Sequence, residues 1–167
     1  LDPWKKEISL ILSVPIQKIV AISVDDFGNY WLGAENGKLI FVESKTGEQH
    51  INPDFFPLGI SIRFITSIDQ KIFVGTDGKG LAYHIPSRHK FDHFMVDPQN
   101  AFPLFYIKTL AELSDGDIIL GSNNRGIIFY KKNDGFIFPK IKVGNKTDFS
   151  VNKILKLVDN FYLGTSQ

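Results

Sequence analysis

Cysteine is absent from this 167-residue chain, which excludes disulfides and thiolate metal sites but leaves the compartment open, since exported proteins also fold without cysteine. An excess of either charge is missing too. Nineteen Lys and Arg stand against 18 Asp and Glu, scattered for a net charge of +1. Without a basic stripe there is no electrostatic footprint for nucleic acid. No transmembrane segment and no signal peptide are visible, so no membrane contact is expected of these residues. Leu1 is not a natural start, and the chain is expected to be mature or excised. No stretch holds an amphipathic period over three turns, so almost no helix is expected.

What the chain has is aromatic area and regularly spaced glycine. Fifteen Phe, five Tyr and two Trp supply large apolar surfaces for face-to-face packing. Gly33, Gly75, Gly121 and Gly164 each close a short apolar run: Tyr30-Trp31-Leu32, Ile72-Phe73-Val74, Ile118-Ile119-Leu120 and Phe161-Tyr162-Leu163. Such runs, rich in aromatic and β-branched residues and bounded by Gly, Asp and Asn, are strands. The glycines recur at steps of 42, 46 and 43 residues, the period of a four-stranded propeller blade.

The turns repeat with the strands. A polar turn precedes each glycine run: Asp25 to Asn29, Asp69 to Lys71, Ser114 to Asp117, and Asp159-Asn160. Upstream of each lies another apolar stretch, so every unit begins as a hairpin. A second turn follows the glycine: Glu35 to Lys38, Asp77 to Gly80, and Asn123 to Gly126. Third strands start at Leu39, Leu81 and Ile127, and a third turn carries Gly47, His89 and Gly135 at one aligned position. The expected fold is all-β, built of four-stranded antiparallel β-propeller blades: about three whole blades plus two partial ones, a segment of a larger propeller. Residues 1–15 would be the outer strand of a preceding blade. Residues 16–57, 58–103 and 104–150 would be whole blades, and residues 151–167 the inner hairpin of a further one.

These residues carry a resemblance. Ile22 to Gly33, with Asp25-Asp26-Phe27-Gly28-Asn29-Tyr30-Trp31-Leu32-Gly33 at its centre, followed by Asn36-Gly37-Lys38-Leu39, resembles the two-component regulator propeller repeat. Val74-Gly75-Thr76 with Gly80-Leu81, and Leu163-Gly164-Thr165, match the same pattern. Ala34 and Ser122 stand where threonine is usual, only Trp31 keeps the tryptophan, and Lys38 replaces a glycine. The resemblance implies the periplasmic sensor region of a hybrid two-component system histidine kinase, an inner-membrane receptor. It implies oligosaccharide sensing, and no catalysis in this segment. The other reading is a non-catalytic propeller scaffold for protein–protein interaction.

Features that suggest chemistry are weak. Ser23-x-Asp25-x-x-Gly28-x-x-Trp31 comes close to the Asp box of sialidase propellers, but its glycine is one residue late, and an Asp box is itself a structural turn. A sialidase needs three arginines converging on a carboxylate. Here Arg63, Arg88 and Arg125 occupy three different places in the repeat. His84, His89 and His93 are dense enough for zinc, yet the aligned position of His89 places them at an exposed hairpin tip, as surface histidines. No metal and no cofactor are expected. Asp77-Gly78-Lys79-Gly80 is neither a phosphate nor a calcium loop.

Candidate binding residues are the polar groups of the second turns and of the loops between blades: Glu35, Asn36, Asp54, Arg63, Asp77, Asn100, Asn123, Asn124 and Arg125. Asn, Asp and Arg hydrogen-bond sugar hydroxyls, and the neighbouring aromatics could stack on sugar rings. Phe56 and Phe102 recur at one aligned position, also held by Val14 and Phe149, which marks a blade-to-blade packing contact. Expected partners are an oligosaccharide and either the remaining propeller blades or a second copy of the chain.

Overall fold

Runs of Ile, Phe, Tyr and Trp cut by Gly, Asn and Asp dictate a chain that reverses every few residues, and the computed structural model has that form. It describes residues 18–51, 61–77, 80–85, 90–94, 96–97, 102–103, 106–113, 116–131, 134–158 and 160–166. Among these there are sixteen strands and no helix.

The first sheet runs β1 (Ile19–Val24), β2 (Tyr30–Ala34), β3 (Leu39–Val42) and β4 (Gln49–Ile51) in spatial order, every pair antiparallel. The second repeats it with β5 (Ile62–Ile68), β6 (Lys71–Thr76), β7 (Leu81–Ile85) and β8 (Lys90–Phe94). A small ribbon follows, β9 (Val96–Asp97) against β10 (Phe102–Pro103). The third sheet is β11 (Ile107–Glu112), β12 (Ile118–Ser122), β13 (Ile127–Lys131) and β14 (Gly135–Ile137). A hairpin of β15 (Ser150–Leu157) and β16 (Asn160–Ser166) closes the series. These are propeller blades.

The blades pack through their inner strands, β1 on β5, β5 on β11 and β11 on β15. Alternation along the second strand explains the core. Trp31, Phe73 and Ile119, each two residues before its glycine, lie in the apolar clusters shared with the following blade. Trp31 meets Ile62 and Ile65, Phe73 meets Ile107 and Leu110, and Ile119 meets Val151 and Ile154. Their sequence neighbours face the other way, so Ile72 and Val74 belong to the Trp31 cluster. Each such side chain taken from water contributes about 1.5–3 kcal/mol.

Three of the four repeated glycines, Gly33, Gly75 and Gly121, are required by close approach. A Cβ on Gly33 would stand 2.5 Å from Ile62 of the next blade, and one on Gly121 would stand 2.7 Å from Val151. At Gly75 it would overlap the ring of Phe64 at 1.8 Å. Four glycines thus occupy equivalent sites, paired in register with Ala21, Phe64, Thr109 and Lys153.

Candidate functional site

Each inner strand is interrupted near its start. The register slips between Ile19 and Ala21, Ile62 and Phe64, Ile107 and Thr109, and Val151 and Lys153. The skipped residues are Val20, Arg63, Lys108 and Asn152, one per blade at the same place. A bulge bends its strand and re-aims a side chain. Here all four bulge residues line a single open cavity of about 370 Å³ between β1, β5, β11 and β15.

The second turns stand at the same end of the blades, because antiparallel pairing brings the end of each second strand beside the start of the inner strand. Their backbone repeats one contact. The N–H groups of Glu35, Asp77 and Asn123 donate to the carbonyls of Lys18, Ser61 and Tyr106, at 3.1, 2.9 and 2.9 Å. Side chains then join the blades. The Ser61 hydroxyl donates to the Glu35 carbonyl at 2.8 Å, and the Ser150 hydroxyl reaches Asn123 Oδ1 and Asn124 Oδ1 at 2.9 and 3.1 Å. Ser61 and Ser150 both directly precede an inner-strand apolar residue, Ile62 and Val151.

The expected site residues therefore divide. Arg63 and Asp77 form an ion pair at this mouth, and Glu35 pairs with Lys18 Nζ at 3.0 Å. Asn123 and Asn124 hold the third blade to the hairpin that follows. Asn124 is also left-handed, with φ 64°. Asn36 accepts the Lys38 N–H at 3.2 Å, a turn-closing bond. Arg125 is exposed. Asp54 and Asn100 lie outside the described residues, as do His89 and the side chains of Phe56, Phe102 and His93.

The polar groups that the sequence reading passed over are Lys108 and Asn152. Lys108 Nζ donates to Asn152 Oδ1 at 2.8 Å, and Asn152 Nδ2 donates to Ser166 Oγ at 3.0 Å. In the sequence each directly follows the first apolar residue of its inner strand, as Arg63 does, in Ile62-Arg63, Ile107-Lys108 and Val151-Asn152, an order that by itself does not mark a bulge.

Two other expectations are settled here. His84 is a core residue, 4% exposed, not a surface histidine. It sits inside β7, with its ring 5.7 Å from that of Trp31 across the interface between the first two blades. Phe149 is buried, and its ring lies 2.8 Å from where a Cβ on Gly126 would be. Of the four aligned residues it is the one whose side chain is described, and it also shares an apolar cluster with Val151 and Ile154 of the hairpin that follows.

No protein-family model matches the sequence, and no curated protein matches it. Solved structures do. The extracellular domain of BT4673 from B. thetaiotaomicron, assigned as a one-component system, superposes with a TM-score of 0.72 at 19% identity, over 88% of this chain and 20% of that one. The extracellular domain of BT3049 from the same organism, assigned as a hybrid two-component system, gives 0.68 at 12% identity over 88% and 22%. The computationally designed protein Ika4 gives 0.66 at 12% identity over 95% and 92%. The chain spans about a fifth of the length of the two bacterial domains, and at these identities the likeness is one of fold.

Proposed function

We propose that these blades belong to the extracytoplasmic, ligand-sensing region of a hybrid two-component sensor histidine kinase, placed in the periplasm and responding to an oligosaccharide, with no catalysis of their own. The observation that carries the reading is the shared fold with extracellular domains of BT4673 and BT3049 over 88% of the chain. Polar second turns gathered at one mouth, beside a cavity, give the surface such a ligand requires. The remaining blades of a longer propeller, or a second copy of the chain, would cover the apolar faces at either end of the series.

Thermal unfolding of the chain in the presence of a panel of neutral and acidic oligosaccharides tests the reading. A ligand that binds the native state alone raises the midpoint in proportion to the logarithm of its concentration. Arg125→Ala and Asn36→Ala should reduce that rise. A panel with no effect at saturating concentration overturns oligosaccharide binding by this segment.

A second reading, a scaffold for protein contact, is favoured by the exposed apolar residues Ile22, Val24, Leu155, Leu157 and Tyr162. Pull-down of a protein whose binding is abolished by Tyr162→Lys, with no sugar effect on unfolding, would select it.

A further inference from the structure

The bulges place an unusual set of groups around one cavity. Arg63, Lys108 and Lys153 line it, with Asn152, Thr66 and Thr109, and no carboxylate is part of the lining. Arg63 is held by Asp77 through one guanidinium nitrogen, Nη2. Lys108 is oriented by a neutral acceptor, Asn152 Oδ1. Among the described residues neither Lys108 nor Lys153 has a carboxylate partner. Thr109 Oγ1 accepts the Ile154 N–H at 3.4 Å, which leaves its hydroxyl hydrogen available to donate.

Three cationic residues lining one concave site, with one carboxylate at its edge, leave positive charge that water or an anion must satisfy. Walls of low dielectric strengthen that field. The surplus arises from the fold itself, since the same slip in every inner strand places its bulge residue in the lining of the cavity, and in the second and third blades those residues are basic. In the hairpin the basic residue is the next one, Lys153.

We propose that this cavity binds the oxyanion group of a small molecule, a carboxylate, sulfate or phosphate, with Lys108 and Lys153 as point charges and the free edge of the Arg63 guanidinium as a directional donor. Asn152 positions Lys108 and offers no charge of its own. The inference rests on the bulges and not on the oligosaccharide reading: a neutral sugar bound at the second turns would leave it standing, and a missing anion site would leave the sugar reading standing.

Calorimetric titration of the 167-residue chain with glucuronate, sulfate and phosphate, at fixed low ionic strength with chloride as background and glucose as control, tests it. Saturable binding at one site per chain is expected, weakened roughly tenfold or more by Lys108→Met and by Lys153→Met, and unchanged by Lys45→Met in the third turn of the first blade. Preference for glucuronate identifies an acidic sugar as the ligand source. Equal binding of sulfate and phosphate identifies a free anion. Because Lys153 is exposed, its variant retains the fold, and amide chemical-shift changes at residues 108 and 152–153 in the unsubstituted chain give a reading that needs no variant. Absence of saturation with all three anions overturns the proposal, as does equal weakening by Lys45→Met, or glucose binding that Lys108→Met and Lys153→Met weaken as much as they weaken anion binding.

Discussion

The indole Nε1 of Trp31 donates to Asp25 Oδ2 at 3.1 Å, tying the core of the first blade interface to the turn that precedes it. The same carboxylate accepts the backbone N–H groups of Phe27 and Asn29 at 3.0 and 2.8 Å, and Asn29 Nδ2 at 3.2 Å. Asn29 Oδ1 in turn accepts the Ser44 N–H at 3.1 Å, so one acidic residue organises the first turn and, through Asn29, the third. The spacing of Asp25, Asn29 and Trp31 in the repeat is thus a hydrogen-bond network.

Asp25→Ala is expected to destabilise the chain by about 1–3 kcal/mol, because it strands several donors at once. Asp25→Asn, which keeps one acceptor oxygen, should fall between. Trp31→Ala should cost about 3–5 kcal/mol, since the ring is 3% exposed and its loss leaves a cavity against Ile62 and Ile65. Urea unfolding at equilibrium measures all three. A loss from Asp25→Ala as small as that of an exposed surface substitution would overturn the network as the reason for the motif.

A hydroxyl after the glycine closes the second turn. Ser122 Oγ donates to the Gly126 carbonyl at 3.0 Å, and Thr76 Oγ1 makes the equivalent bond to Gly80. Ala34 has the matching backbone bond, from its N–H to the Lys38 carbonyl at 2.8 Å, but no hydroxyl. Ala34→Ser should therefore stabilise by about 0.5–1.5 kcal/mol, and Ser122→Ala should destabilise by a similar amount. Opposite shifts of the thermal midpoint are the expected result, and a destabilised Ala34→Ser would mean that the first blade packs its second turn differently.

Gly75→Ala and Gly164→Ala separate packing from conformational preference. Both sites lie in second strands at equivalent register, yet a Cβ at Gly164 would find its nearest neighbour at 3.7 Å, an ordinary contact. Gly75→Ala should cost about 1–3 kcal/mol or more through overpacking on Phe64. Gly164→Ala should be near neutral. Equal costs at the two sites would show that the glycines serve the strand backbone and not the approach of neighbouring side chains.

The architecture was legible because its determinants are local and periodic. A glycine two residues past an inward-facing Trp31, Phe73 or Ile119, with polar turns on either side, fixes strand, register and face together. The cavity side of the site was not legible to that reading, since a bulge is a register slip between two strands, and Arg63 and Lys108 look like ordinary exposed alternation until the partner strand is in place. His84 was misplaced for a related reason. Its nearness in sequence to His89 and His93 suggested a hairpin tip, whereas strand alternation turns it inward to Trp31. The ribbon of β9 and β10 had no repeat partner to reveal it, being absent from the other blade connections among the described residues. Asn123 and Asn124 were correctly placed at the second turn, but their link to Ser150 depends on a neighbour 26 and 27 residues away.

The end faces of the blade series carry matching halves of one contact. Ile62, Ile107 and Val151, one at the start of each later inner strand, are all buried, and Ile62 and Val151 seat on the preceding blade's glycine. Ile19 is the same residue of the first blade and is 39% exposed. At the other end, Gly164 is open, and Tyr162, equivalent to the buried Trp31, Phe73 and Ile119, is 56% exposed. Exposed apolar faces of this kind favour association, and a face at one end that complements the face at the other gives head-to-tail contact. The isolated segment should thus self-associate, with Ile19 of one copy approaching Gly164 of the next. Sedimentation should show mass rising with concentration, and Ile19→Lys combined with Tyr162→Lys should hold the chain monomeric without lowering its unfolding midpoint at high dilution. If the unsubstituted chain stays monomeric up to its solubility limit, the two faces are not complementary, and the contact seen between successive blades does not extend from the last to the first.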